Sequence, residues 1–289
     1  MGWQGRMAIV TRSRRTLAGA VAAAAVASAL LATIAARSSA TAQPSLTVRV
    51  PPPATDRIYG SPLARGRPIV VIDAGHGGRD PGARSVSGDI AEKDLTLALA
   101  GELRDDLVKR GRVRVAMTRD DDRYLTLEDR AAVARRLNAA MFVSLHMDSA
   151  PNALARGASV YSLSDIASDA EAAHFAATQN AGAVADGPGS SVQAILSDLA
   201  MRTQMSASAD LASRLVNKSA GRFELRPQPH RFAAFHVLRR AATPAVLFEA
   251  GYISNADDEV LLRDAAHRSA IALALAQAIE ADVAARSRH

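Results

Sequence analysis

The chain has 289 residues, contains no cysteine and carries a formal net charge of +6. Without cysteine, disulfide bonds and thiolate metal ligands are excluded, so any metal site has to be built from histidine and carboxylate groups. The first 42 residues hold five arginines and no acid, which leaves 30 basic against 29 acidic residues in the remainder and excludes a nucleic-acid-binding surface based on excess positive charge.

Residues 1–42 have the order of parts found in an export signal. Arginines come first, an alanine-rich apolar run follows from Leu17 to Ala36, and Ala40-Thr41-Ala42 offers a small-x-small cleavage site. The pair Arg14-Arg15 is also typical of a twin-arginine signal. A permanent membrane anchor is the alternative, although alanine contributes less to membrane insertion than leucine does. We therefore predict a signal peptide cleaved after Ala42 and a mature protein in the periplasm or the extracytoplasmic cell envelope.

The rest of the chain divides into a short linker and one domain. Residues 43–67 are rich in proline and lack apolar periodicity, which predicts an extended tether. Residues 68–286 alternate between strand and helix patterns, and their continuous apolar strands favour a sheet that is covered on both faces. We predict a single three-layer α/β domain with a twisted, mostly parallel central sheet flanked by helices. The predicted strands are Ile69–Asp73, Val113–Met117, Met141–Leu145, Ala158–Leu163 and Ala245–Glu249, and the clearest predicted helices are Glu92–Arg110, Leu127–Asn138 and Ser269–Val283.

Three of the predicted strands end in side chains that can bind a metal ion. His76 follows the first strand in a glycine-rich loop, His146 follows the Met141–Leu145 strand, and Glu249 closes the last strand. Each residue alone is also explained by a loop hydrogen bond or a surface position. The carboxyl ends of parallel strands meet at one edge of an open α/β sheet, however, so the three residues share one expected location. Two imidazoles and a carboxylate with an open fourth position are typical of hydrolytic zinc centres, and we predict one Zn²⁺ ion.

Several ordered motifs extend this pattern along the chain. They are Ile72-Asp73-Ala74-Gly75-His76-Gly77-Gly78, Glu92-Lys93-Asp94, Thr118-Arg119 with Leu127 and Arg130, Ser144-Leu145-His146, and Glu249-Ala250-Gly251-Tyr252-Ile253-Ser254-Asn255. Over roughly residues 69–279, the chain resembles the N-acetylmuramoyl-L-alanine amidases of the zinc-dependent type 3 family. The resemblance implies that His76, Glu92 and His146 bind the zinc and that Glu249 is the catalytic acid/base. Spacing alone does not distinguish Glu92 from Glu102, although a carboxylate is favoured where Glu92 begins a predicted helix.

The resemblance implies hydrolysis of the amide bond between N-acetylmuramic acid and L-alanine in peptidoglycan, during daughter-cell separation or wall turnover. Zinc would acidify the attacking water, and Glu249 would take its proton and pass it to the leaving alanine nitrogen. A zinc peptidase that cuts within the stem peptide would use the same ligands and is kept as an alternative. A non-catalytic wall-binding module is disfavoured by the complete set of site residues, and a nucleotide-binding domain by the missing phosphate loop.

Residues 164–220 form a long insertion between His146 and Glu249 and have helical apolar spacing. Simple helical packing is one interpretation. In the cell-division branch of the family that the chain resembles, a helix in this insertion covers the zinc until an activator protein displaces it. That branch usually has Glu-Asn where this chain has Gln179-Asn180, so an inhibitory helix and an activator partner are both open expectations.

The remaining polar residues give weaker signals. His230, in an expected Pro-rich loop, is a candidate for substrate contact. Asp148 and Asn255 border the expected crevice, where substrate binding and loop hydrogen bonding are both open interpretations. Surface or packing roles are expected for the other histidines, which are His174 and His267 in helical stretches, His236 in a strand candidate, and His289 at the end of the sequence.

Overall fold

The computed structural model describes residues 56–181 and 191–287. The predicted signal peptide at residues 1–42 and the first part of the predicted linker lie outside these ranges. Within them, no helix combines the length and the apolar character that crossing a membrane requires.

One seven-stranded mixed sheet organises the described residues, with the strand order β1-β3-β2-β4-β7-β5-β6. Neighbouring strands run parallel except for the pairs β1–β3 and β5–β7, which are antiparallel. The prediction of a mostly parallel α/β sheet is therefore confirmed. The strands are β1 (Ile58–Tyr59), β2 (Ile69–Ala74), β3 (Arg114–Met117), β4 (Met141–Asp148), β5 (Ala158–Leu163), β6 (Leu225–Ala233) and β7 (Ala245–Tyr252).

Helices cover both faces of the sheet. They are α1 (Glu92–Arg110), α2 (Leu127–Arg136), α3 (Ala170–Gln179), α4 (Ser191–Ser219), α5 (His236–Arg240), α6 (Ala256–Arg263) and α7 (Ala265–Arg286). Apolar side chains of α1, α4, α6 and α7 form one core cluster against the sheet, and those of α2, α3 and α5 form a second cluster. Every residue of the central strands β2, β4 and β7 is buried, as expected for strands that are covered on both sides. The predicted three-layer arrangement follows from these two clusters.

The end of the predicted linker joins the sheet. Ile58 and Tyr59 pair with β3 as an antiparallel edge strand, and the Tyr59 hydroxyl donates to Asp120 Oδ2 at 3.0 Å. Arg136 also forms an ion pair with Asp56, with 2.6 Å between Nη2 and Oδ1. The described part of residues 43–67 thus contributes an edge strand, which the proline content of the segment had hidden.

Two sequence interpretations between β5 and β7 are wrong. His230 lies in β6 and not in a loop, because β6 is an edge strand and an edge strand tolerates proline, which cannot donate to a sheet ladder. His236 begins the short helix α5 and does not lie in a strand. In a stretch of five residues, periodicity does not distinguish a short helix from a strand.

Candidate metal centre and active site

The sheet brings the sequence-predicted residues to one edge. Strands β2, β4 and β7 are parallel neighbours, and His76 lies two residues beyond the end of β2. His146 and Glu249 are direct register partners on β4 and β7, so their side chains project from the same face of the sheet. Both strands continue three residues further than predicted, and these two residues therefore lie within strands.

His76, Glu92 and His146 form a compact group whose ligand-type atoms all lie within 4.8 Å of one another. The Glu92 carboxylate lies between the two imidazoles: Oε2 is 3.1 Å from His76 Nε2, and Oε1 is 3.0 Å from His146 Nδ1. The ring centroids of the two histidines are 4.9 Å apart in an edge-to-face arrangement. This group of two imidazoles and one carboxylate matches the donor chemistry of a hydrolytic zinc centre.

Glu92 reaches the group because it is the first residue of α1. Its Oε2 accepts a hydrogen bond from the Ala83 amide at 2.9 Å, and its Oε1 accepts one from the Met147 amide at 3.1 Å. Burial opposes ionisation, but the adjacent imidazoles outweigh it and hold the pKa of Glu92 below its usual range. The carboxylate is thus fixed in its charged form at the head of the helix, where negative charge is favoured.

His76 has the orientation of a metal-binding imidazole. Its Nδ1 is 2.9 Å from Asp80 Oδ2, while the buried Nε2 faces Glu92 Oε2 at 3.1 Å without a well-aligned hydrogen bond to any described residue. Metal-binding histidines commonly use one ring nitrogen for a carboxylate and leave the other for the ion. Burial disfavours protonation, but Glu92 and Asp80 outweigh it and raise the pKa of His76 to about 9. The position of Nε2 beside the Glu92 carboxylate and the surrounding negative charge both fit a bound cation.

Glu249 is fully buried, and neither carboxylate oxygen has a hydrogen-bond partner among the described residues. Burial raises the pKa of Glu249 well above its usual value, and the nearby carboxylates of Asp148 and Glu92 raise it further. A buried carboxylate without partners is costly to the fold. A carboxyl group whose pKa is raised can hold a proton at pH values where glutamate is usually ionised, which suits general acid–base chemistry, so this cost is consistent with a functional role.

Two glycines allow the site residues to approach one another. A Cβ atom on Gly75 would lie 2.4 Å from His146 Cε1, and one on Gly82 would lie 2.5 Å from Glu92 Oε2. Gly82 also has a φ of +66°, a conformation that side chains disfavour. Glycine is therefore required at these two positions, because the backbone lies too close to the side chains of His146 and Glu92 to leave room for a Cβ atom.

Gly75→Ala is expected to lower hydrolytic activity by about 100-fold or more, because displacing a site residue by about 1 Å costs an enzyme that much. The added methyl group has to push the His146 ring away from the ligand group. Activity and bound metal should be measured together. Gly101→Ala is the matched control: its Cβ would meet only Arg104 Nη2 at 3.9 Å, in the interior of α1, and activity should not change. Wild-type activity in Gly75→Ala would contradict the close packing of this loop.

A buried polar network that we did not predict holds the His76 loop in place. Arg119, which is fully buried, donates to the carbonyl oxygens of Ala74 and Gly75 at 2.9 and 2.8 Å. Arg130 donates to the His76 carbonyl at 2.6 Å and forms a buried ion pair with Asp73 at 2.9 Å. Both arginines belong to the motifs that carried the family resemblance, but their positions in sequence gave no indication of this role.

The group of His76, Glu92 and His146 opens into a cleft of about 830 Å³. The buried Asp148 lines this cleft, and burial raises its pKa to about 6. One side of helix α3 also faces the cleft, through the side chains of Glu171, His174, Phe175, Thr178 and Gln179. The insertion therefore contributes a wall of the site.

Two residues singled out from sequence have structural roles. His230 Nε2 is 2.9 Å from Ser162 Oγ, and His230 does not line the cleft. Asn255 caps α6 by accepting from the amides of Asp257 and Asp258, and it donates to the Ala153 carbonyl. Neither position favours substrate contact, whereas Asp148 remains in the cleft.

A family model described as N-acetylmuramoyl-L-alanine amidase matches residues 70–281. The chain is 35% identical over 234 residues to the N-acetylmuramoyl-L-alanine amidase AmiA of Escherichia coli K12, which covers 78% of this chain and 80% of the relative. It is 32% identical over 236 residues to AmiC of E. coli O6:H1, covering 80% of this chain and 56% of the relative.

Solved structures of similar chains share the fold. The catalytic domain of CwlV, an N-acetylmuramoyl-L-alanine amidase from Bacillus (Paenibacillus) polymyxa var. colistinus, matches with a TM-score of 0.57 and 29% identity, over 73% of this chain and 96% of that domain. AmiC2 of Nostoc punctiforme, also an N-acetylmuramoyl-L-alanine amidase, matches with a TM-score of 0.54 and 26% identity, over 74% of this chain and 96% of that chain.

Proposed function

The chain belongs to the N-acetylmuramoyl-L-alanine amidase family, and from this premise we propose that it cleaves peptidoglycan between N-acetylmuramic acid and L-alanine with a single zinc ion. His76, Glu92 and His146 would bind the ion, and Glu249 would act as the catalytic acid/base. The observation that supports this most directly is the convergence of three ligand-type atoms within 4.8 Å, next to a strand that carries a buried carboxylate without partners.

The donor set fits zinc, because two imidazoles and one carboxylate leave a fourth tetrahedral position open. When bound, zinc would supply a Lewis acid that lowers the pKa of water and polarises the scissile carbonyl. The chain prepares this position with its own contacts: Asp80 orients His76, and the amides of Ala83 and Met147 orient Glu92. The ligands are thus held before substrate arrives.

Glu249 would move the proton. Its unpartnered oxygens can accept a proton from the attacking water, and the raised pKa then makes the protonated form stable enough to carry it. The alanine nitrogen has to be protonated before it can leave, and the same carboxyl group can donate to it. The buried Glu249 would therefore serve both proton-transfer steps.

Metal analysis combined with mass spectrometry of digested peptidoglycan tests this proposal. We expect one zinc per chain and products with a new amino terminus at L-alanine. New amino termini within the stem peptide would instead identify the zinc peptidase that uses the same ligands. Binding of peptidoglycan without any cleavage would identify a non-catalytic wall-binding module.

The substrate implies an extracytoplasmic site of action, in agreement with the predicted export signal at residues 1–42. We infer that the mature enzyme begins after Ala42, although this cleavage site lies outside the described residues. Daughter-cell separation or wall turnover is the role that the family resemblance favours.

We also infer that α3 restricts access to the metal centre. Its Glu171 forms an ion pair with Arg226 on β6 at 2.8 Å, and its buried Ala172 and Ala176 pack on the domain. At its end, Asn180 Nδ2 donates to the Ala234 carbonyl at 2.7 Å, and Asn180 Oδ1 accepts from the His236 amide at 2.8 Å. A protein activator would then act by releasing this docked helix.

Asn180→Ala is expected to raise basal hydrolysis of purified peptidoglycan. Losing two hydrogen bonds removes about 1–2 kcal/mol from the docking of α3, which shifts its equilibrium by about 5- to 30-fold. Initial rates of the variant and the wild-type enzyme provide the comparison. Asn217→Ala, at an exposed position of α4, serves as the control and should behave as wild type. Unchanged or lower activity in a folded Asn180→Ala variant would count against an inhibitory α3.

A further inference from the structure

Arg79 lies at the rim of the cleft, where its guanidinium group stacks on an aromatic ring. It lies in the loop between β2 and α1, three residues after His76, and its guanidinium carbon is 4.2 Å from the centroid of the Tyr124 ring. Both residues line the cleft that contains the metal-binding group. Arg79 is exposed, and stacking on an aromatic ring fixes the plane of its guanidinium group without using its N–H donors.

Among the described residues that line the cleft, Arg79 is the cation that remains free to bind an anion. The other arginine of the lining, Arg130, is committed to the Asp73 carboxylate and to backbone carbonyls. No carboxylate or other hydrogen-bond acceptor of the described chain contacts the Arg79 guanidinium. The acidic residues of the lining cannot take this role, and two of them, Asp73 and Glu171, are already paired with arginines.

The chemistry of the substrate indicates which group Arg79 meets. In the amide that the proposed function cleaves, the lactyl carboxyl group of N-acetylmuramic acid is already consumed, so the sugar side is neutral. Free carboxylates are carried by the amino acids of the stem peptide. A planar guanidinium with unused donors matches a carboxylate in a bidentate arrangement.

We propose that Arg79 is a specificity-determining residue, which binds a carboxylate of the stem peptide and thereby marks the end of the cleft that receives the peptide. Tyr124 is its positioning residue. This inference rests on the proposed amidase function. The proposal predicts that the enzyme distinguishes two kinds of stem peptide. In one kind this carboxylate is free, and in the other it has been converted to a primary amide.

The test compares two soluble glycan-linked stem peptides that differ only at the second amino acid of the peptide. This amino acid carries a free carboxylate in one substrate and the corresponding primary amide in the other. Arg79→Gln is expected to lower kcat/KM for the carboxylate substrate by about 10- to 100-fold, the value of a hydrogen-bonded charge pair, mainly through KM. Hydrolysis of the amidated substrate should change little. The preference of the wild-type enzyme for the carboxylate should therefore disappear.

Arg84→Gln is the matched control, because Arg84 is an exposed arginine of the same loop that does not line the cleft. Tyr124→Phe should keep the preference, whereas Tyr124→Leu should reduce it, since only the ring is needed to orient Arg79. If the wild-type enzyme is active and Arg79→Gln keeps the same preference, the role of Arg79 is overturned while the proposed function is not affected. Failure of the wild-type enzyme to cleave either substrate at the amide to L-alanine would overturn the proposed function.

Discussion

Glu249→Ala is expected to bind zinc as the wild-type enzyme does and to lose nearly all turnover. Glu249 is not part of the group of three ligand-type residues, so its removal leaves that group complete. General acid–base catalysis contributes about 10²- to 10⁴-fold to a rate, and the loss should fall in this range or above it because one carboxyl group serves two steps. Metal content and release of L-alanine termini from peptidoglycan are the two measurements.

Glu249→Gln separates the chemistry from the packing, since it retains the shape of the side chain. Burial raises the pKa of Glu249, so the metal-free folded protein holds a proton at pH values where the unfolded chain has lost it. The contribution of Glu249 to the stability of the fold therefore falls as the pH rises from the usual glutamate pKa to the raised one. Glu249→Gln lacks this loss, and its Tm at neutral pH in the absence of metal should equal or exceed that of the wild type.

Hydrolysis at the wild-type rate by either Glu249 variant would remove this residue from the proton transfer. Loss of zinc together with activity would instead assign Glu249 to the metal centre, as its position at the end of a predicted strand would also allow.

His76→Ala should lose both the metal and the activity. His76 is one of the three residues of the ligand group, and its Nδ1 contacts Asp80. Changes to the partners of metal ligands already cost about 10- to 100-fold in affinity, so removing a ligand should weaken zinc binding by more than about 100-fold. Zinc titration of the purified variant, followed by an assay with added zinc, measures both effects.

His267→Ala is the control for this experiment. His267 lies on α7 against the Phe223 ring and is not part of the ligand group. It should bind one zinc and keep its activity. A His76→Ala variant that retains zinc at the wild-type affinity would exclude His76 from the centre.

Much of the architecture is encoded locally. Helix α1 begins and ends where the sequence predicted, because leucines at helical spacing define its buried face and Gly111 ends it in a left-handed conformation. Five of the strands were predicted from their apolar residues, with ends misplaced by up to three residues, whereas β1 and β6 were not predicted. Polar residues such as His146 and Glu249 look like strand ends in a sequence, although here they are buried within β4 and β7.

The sequence by itself determined the donor chemistry: without cysteine, only imidazoles and carboxylates were left, and the histidines near the ends of two buried strands were expected to reach one sheet edge. Apart from the family resemblance, only the tertiary structure distinguishes Glu92 from Glu102, because it places Glu92 beside the two histidines. These residues are separated by about 15 Å along the axis of α1, and Glu102 is paired with Arg268 at 3.0 Å. Which carboxylate meets the histidines depends on how the helix packs against β2 and β4, and such long-range packing leaves no periodic signal in the chain. The same reason applies to Arg79, whose significance depends on the absence of a carboxylate partner among residues 56–181 and 191–287.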